Sequence, residues 1–200
     1  MFKKLNILDE KDPHLRKVSV DAKLPLSNEY KKTIDQIIKE LTYSQIEELA
    51  EKYELRPGMG LAFPQLGINE NIIVIVHEYD EGKFDNYVVV NPKIVSESDE
   101  MIAAEAGEGC LSVNREVDGH VLRHARVTIE GYDMDGNKLL IHKLKELLIL
   151  LVIILKFNKV IMIINSTIKY FIIFFILNII LKHKKKNSNY SYINLISSSL

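Results

Sequence analysis

An α+β fold, a leading helix followed by antiparallel sheets, is predicted for this 200-residue chain. Three observations point there: helical periodicity near the start, two β-branched hairpin patterns after it, and glycine-rich loops where the periodicity changes. With 47% hydrophobic and 26% charged residues, the composition fits an ordinary globular domain with its own core.

The helix is read from "LSNEYKKTIDQIIKELTYSQIEELAEKYEL", residues 26–55. Ile34, Ile37, Ile38, Leu41, Ile46, Leu49 and Tyr53 recur at spacings of three and four, giving one apolar face with a break expected near Thr42. Ser27 is the expected N-cap, and "RPGMG", 56–60, is expected to stop the helix, because proline and two glycines continue it only at a cost.

Strands follow. "NIIVIVHEYDEGKFDNYVVVNPKIV", 71–95, is two β-branched runs around "DEG" and predicts a hairpin. "HVLRHARVTIEGYDMDGNKLLIH", 120–142, predicts a second, with Val121, Val127, Ile129 and Tyr132 in strands and "DMDG" as the turn.

The last quarter of the chain is of another kind. From Leu147 to Leu200 there are seven lysines, no acidic residue, and no Gly, Ala, Pro, Gln or Arg; 43 of these 54 residues are Ile, Leu, Phe, Tyr, Asn or Lys. All six have codons that A and T alone can spell, so residues 143–200 read as an aberrant tail, a shifted frame or read-through, behind a unit at 1–142. A membrane anchor is the competing reading, with "KHKKK", 182–186, as its flank. Against it, Lys156, Lys159 and Lys169 cut the apolar stretch into uncharged runs of 9, 2, 9 and 12 residues, short of the roughly 18–20 that span a bilayer.

Without the tail, 19 basic residues face 27 acidic ones, so the body lacks the positive footprint that nucleic acid requires. The opening "MFKKLNILDEKDPH" has no apolar signal core, which makes the cytoplasm the expected compartment.

Two loops carry the chemistry. "AGEGCLSV", 106–113, holds the single cysteine, Cys110, which read alone is a nucleophile, a metal ligand or core packing. "RPGMGLAFPQLGI", 56–68, sets Gly58, Gly60 and Gly67 around an apolar run with one amide, Gln65. Glycines permit tight turns and close approach to a ligand, and a glutamine amide can donate to a developing oxyanion. No lysine follows in a phosphate-loop frame.

Together, G-x-G-L-A-x-P-Q and E-G-C-L-S some forty residues later resemble the motif pair of the peptide deformylases, metal hydrolases that remove the formyl group from the N-terminal methionine of new bacterial proteins. The resemblance runs from about Asn6 to His142; the long helical insertion before "RPGMG" and the "SV" ending look like the Gram-positive-type branch. It implies that Cys110 is a ligand of the catalytic metal, ferrous iron with zinc or nickel as alternatives, and that Gln65 and the backbone N–H of Leu111 hold the oxyanion. It implies also that Gly58, Gly60, Glu108 and Gly109 line the groove taking the N-formylmethionyl peptide of a nascent chain, transiently near the ribosome.

The chain departs from that pattern in one place. The family's third motif, H-E-x-x-H, supplies two histidine ligands and a glutamate base from a helix packed between the sheets. Where it is expected, residues 142–160 read "HKLKELLILLVIILKFNKV". The central helix thus reads as replaced by the tail, and its loss is expected to expose apolar strand faces. "HEYDE", 77–81, begins like the motif but has Glu81 in place of the second histidine and lies in a predicted hairpin. His120 and His124 have the right spacing without a glutamate between them. Four readings stand: a working deformylase, an inactive truncated or frameshifted product, a membrane-anchored binding protein, and a cysteine enzyme with His120 or His124 as base.

Overall fold

The structure, a computed structural model, describes residues 2–104, 107–144 and 167–168. A single turn of 3-10 helix (Pro13–Arg16) precedes α1 (Asn28–Ser44) and α2 (Glu47–Lys52). The strands are β1 (Gly60–Ala62), β2 (Ile72–Asp80), β3 (Lys83–Glu97), β4 (Met101–Ile102), β5 (Val117–Asp118), β6 (Arg123–His124), β7 (Arg126–Tyr132), β8 (Lys138–Leu144) and β9 (Thr167–Ile168). The α+β class is the predicted one.

Ser27 caps α1 as expected, its hydroxyl accepting the Tyr30 N–H at 3.2 Å. The break falls at Gln45–Ile46, a few residues beyond Thr42. α2 ends before "RPGMG" is reached: Tyr53 caps it and Glu54 turns the chain with φ 51°, a left-handed conformation the proline-glycine argument did not foresee.

β1, β2, β3, β7 and β8 form one antiparallel sheet in that order. The first hairpin turns at Glu81–Gly82, where Gly82 has φ 70°, a value that favours glycine. The second turns on Asp133, whose carboxylate accepts the N–H groups of Asp135 and Asn137 at 2.9 and 2.8 Å. Its first strand is shorter than predicted. Val121 lies outside any strand, and Arg123–His124 leaves the hairpin to pair with Met101–Ile102 as a separate two-stranded sheet.

β2 is buried on both faces, which is why "IIVIV" reads as a continuous apolar run. On one face Ile72, Val74 and Val76 meet Ile34, Ile37 and Leu41 of α1, with Leu61 and Phe63. Each fully buried aliphatic or aromatic side chain there contributes roughly 1.5–3 kcal/mol. On the other face Ile73 and Ile75 join Ala62, Val89, Val127 and Ile129. These strand faces are not exposed, contrary to the expectation for a chain without its central helix: Ile73, Ile75 and Val89 are each 0% accessible.

Among the described residues no helix is long and apolar enough to cross a membrane. The readings of residues 143–200 as a frameshifted tail or as an anchor fall outside the described residues, apart from the backbone at 143–144 and 167–168.

Candidate active site

The glycine-rich loop is positioned by the α1 break. Gly58 is held through both backbone groups: its N–H donates to Ser44 Oγ at 3.2 Å, and its carbonyl accepts from Gln45 Nε2 at 3.1 Å. The same amide donates to Val76 O at 3.1 Å, so one buried side chain ties helix, loop and sheet together. A Cβ at Gly58 would lie 2.9 Å from Leu111 Cδ1, so the two motif loops are packed on one another. Gly60 then begins β1 and pairs with Ile75.

After β1, the 3-10 turn Phe63–Leu66 brings Gln65 inward, and Gly67 closes the turn with φ 81°. Gln65 is 4% exposed. Its Oε1 accepts the Ala62 N–H at 2.9 Å, which fixes the orientation of the amide. Nε2 consequently faces the second loop, donating to Ser112 Oγ at 3.2 Å and lying 3.7 Å from Cys110 Sγ.

Cys110 is partly exposed. Burial of its sulfur pushes the thiol above its ordinary pKa; the Ser112 N–H, the Arg56 charge, the Val113 N–H and the Ser112 hydroxyl pull the other way without cancelling that effect. The loop is gripped from three sides by groups whose roles local sequence patterns did not signal. Arg56 donates to the carbonyls of Leu111 and Val113, the second at 3.1 Å. The N-terminal segment runs alongside, with Leu8 N–H on Gln65 O at 2.8 Å and Glu10 N–H on Ser112 O at 2.7 Å. Arg123 takes the Glu108 carboxylate in a two-point ion pair at 3.0 and 2.7 Å. Glu108 therefore anchors the loop through its side chain.

The histidines do not join this site. His77 is within β2, opposite Asp85, so "HEYDE" is strand as predicted. His124 Nδ1 donates to Ser98 O at 2.6 Å, and its Nε2 is 3.4 Å from Glu97 Oε2, an arrangement directed at β3. His120 is in no strand, so the pair does not share the strand face that its spacing suggested. The side chain of His142 lies outside the described residues. Among the described residues no three His, Cys, Asp or Glu side chains converge as a cation needs, and these residues do not fit a catalytic metal. Gln65, Cys110, Leu111, Gly58 and Glu108 are nonetheless gathered around one pair of loops.

Comparison with known proteins gives the context of that gathering. The family model described as polypeptide deformylase matches residues 4–149. The peptide deformylase of Halalkalibacterium halodurans is 47% identical over 134 residues, covering 66% of this chain and 73% of that one. Peptide deformylase 2 of Geobacillus stearothermophilus is 46% identical over 134 residues, with 66% and 72% covered. A probable peptide deformylase from Synechococcus phage S-SSM7 superposes with TM-score 0.65 at 26% identity, covering 78% of this chain and 95% of that chain. The Thermotoga maritima enzyme, at 24% identity and TM-score 0.63 with 83% and 99% covered, bears on the fold alone. With the motif loops meeting as they do, and the match running through most of the body, the chain belongs to the polypeptide deformylase family, whose members are metal-dependent hydrolases.

Proposed function

We propose that this peptide deformylase receives the N-formylmethionyl end of a nascent protein, in the cytoplasm and near the ribosome, as an added strand along the outer edge of β1. β1 is the end strand of its sheet, and an unpaired strand edge recognises an extended peptide through main-chain hydrogen bonds. Gly58, Gly60, Glu108 and Gly109 line the groove. The Gln65 amide and the Leu111 N–H hold the formyl oxygen as it gains charge. Cys110 is the one ligand these residues offer a metal, ferrous iron first and zinc or nickel as alternatives.

The observation carrying this reading is the approach of Gln65 Nε2 to Ser112 Oγ and Cys110 Sγ across 47 and 45 residues of sequence. The described residues bind, orient and polarise. They do not complete a metal site, and no bond-breaking step is assigned to them.

That incompleteness favours a second reading, in which the 200-residue chain is an inactive truncated or frameshifted product that still presents the peptide groove. One experiment separates the two: purify the full chain anaerobically with ferrous iron, measure bound metal, and assay formate release from formyl-Met-Ala beside binding of the same peptide. Formate released in proportion to bound iron supports hydrolysis by this chain. Peptide binding without metal or formate supports the inactive product, and loss of binding as well removes both readings. The division into a unit at 1–142 and a tail at 143–200 belongs to the same proposal, supported by a family match that ends at residue 149. The nucleotide sequence after the Leu140 codon tests it: H-E-x-x-H in another frame marks a frameshift.

A further inference from the structure

The Gln65 amide has more hydrogen-bonding capacity than an oxyanion would use. A primary amide offers one oxygen that accepts and two N–H groups that donate. Oε1 takes the Ala62 N–H at 2.9 Å, which fixes the nitrogen on the side of the second loop. One N–H then goes to Ser112 Oγ at 3.2 Å. The other is directed at Cys110 Sγ, 3.7 Å from the same nitrogen, and sulfur is a weak acceptor that an oxygen bearing charge readily displaces from such an N–H.

Ser112 is well placed to hold the first N–H still. The residue is 0% exposed, so solvent does not compete for its hydroxyl. Its backbone is fixed as well: Ser112 O accepts the Glu10 N–H at 2.7 Å, and Arg56 holds the carbonyls on either side, those of Leu111 and Val113. Gln65 is tied to the same N-terminal segment, since Leu8 N–H donates to Gln65 O at 2.8 Å. Leu8 and Glu10 are two residues apart, so one short stretch of chain sets the spacing between the amide and the hydroxyl.

We propose that Ser112 is the positioning residue of the oxyanion donor: its hydroxyl occupies one N–H of Gln65, so that the other is held out for the formyl oxygen of the substrate. The inference rests on the reading of Gln65 given under Proposed function. Ser112 acts through the amide and not on the substrate. Without its hydroxyl, Gln65 keeps a buried N–H with no acceptor, and the amide turns to find one. The donor is then present but misaimed, and a hydrogen bond weakens steeply as it bends.

Nuclear magnetic resonance of the full chain carrying isotope-labelled glutamine tests it, because Gln36, Gln45 and Gln65 are its three glutamines and give three side-chain amide pairs. Gln65→Leu identifies its pair by removing it. Adding formyl-Met-Ala to the parent chain is expected to shift one hydrogen of the Gln65 pair downfield and to leave the other, held by Ser112, in place. In Ser112→Ala the hydrogen that stood still is expected to move upfield, while an unchanged Gln45 pair marks an intact fold. Affinity for formyl-Met-Ala should fall about tenfold in Ser112→Ala, the effect of one hydrogen bond, and less than about twofold when the same change is made in Gln65→Leu. Equal losses in the two backgrounds overturn the proposal, as does a parent complex in which both hydrogens of the pair move or neither does. A parent chain that binds no peptide and leaves every pair unshifted removes the functional reading of Gln65 and the proposal with it. Where Ser112→Ala loses the Gln45 pair, and with it the fold, the parent titration decides alone.

Discussion

Arg123 holds Glu108 by both arms of its guanidinium, with Nε 3.0 Å from Oε1 and Nη2 2.7 Å from Oε2, and the two side chains are only 10% and 7% exposed. A pair so deeply placed is costly to break from one side, because the partner's charge stays behind unpaired. Arg123→Ala is expected to destabilise the chain by roughly 3–5 kcal/mol in urea titration. Arg123→Lys keeps the charge but loses the fork and should fall between the parent chain and the alanine variant. Replacing both residues together, Arg123→Met with Glu108→Leu, should recover most of the stability while altering the loop beside Cys110.

Gln65 spends its amide on three partners at once. Gln65→Leu strands the buried Ala62 N–H and removes the donor to Ser112 Oγ, and an unsatisfied buried polar group costs about 1–3 kcal/mol. If the full chain releases formate, the same variant is expected to lower kcat by roughly a hundredfold to a thousandfold, the usual loss on removing an oxyanion donor. Denaturation and formate release read the two effects separately.

Gly131 of β7 packs closely against β3. A Cβ there would meet Val89 Cγ1 at 2.6 Å and the Val90 carbonyl at 3.1 Å, and the second contact is backbone that cannot swing aside. Gly131→Ala is expected to cost about 1–3 kcal/mol as overpacking. At Gly58 the atom met is the tip of Leu111, so Gly58→Ala should cost less stability and instead displace the side chain between the motif loops. Thermal melts of the two variants give the ordering.

Glu40 is a buried carboxyl on α1 whose Oε2 accepts the Leu5 N–H at 2.6 Å. Burial raises its pKa, and the hydrogen bond from Leu5 and the nearby charge of Lys4 only partly offset this. The folded state thus holds its proton more tightly than the unfolded one. The stability this adds is complete below the unfolded carboxyl's pKa and is lost as pH rises through the folded value. Glu40→Gln, which keeps an acceptor and removes the charge, is expected to raise Tm more at pH 7 than at pH 4. A pH-independent change would show that the charge is not what matters there.

Cys110 gives a second pH signature. Because burial raises the thiol, alkylation by iodoacetamide should be slow at neutral pH and accelerate only above the range of an ordinary cysteine. A bound metal would reverse this by holding the sulfur as a protected thiolate. Comparing alkylation rates with and without added ferrous iron distinguishes the two states.

The sequence disclosed the parts governed by short-range pattern. Periodicity located α1 through Ile34, Ile37 and Leu41, and the turns at Gly82 and Asp133 followed from their residue types. The two motif loops were legible because their glycines and lone amide are unusual together. Residues acting at a distance were not: Ser44, Gln45, Arg56 and Arg123 look like ordinary helix or loop residues until folding sets them against the motifs. The end of α2 at Glu54 was misplaced because a non-glycine residue adopts the left-handed turn there.

The clasp of the N-terminal segment on the Cys110 loop bears on how the protein is made. Asp9 receives Asn114 Nδ2 at 2.8 Å, and Glu10 receives Arg115 Nε at 2.7 Å, each across 105 residues. Contacts of such separation form late, because the entropy of closing the loop must be met before any of them is gained. During synthesis at roughly 5–20 residues per second, the segment that will brace the loop waits on the order of ten seconds for its partner to be made. Until then the Cys110 loop is without this brace, and the site becomes a single object when the first residues close on it.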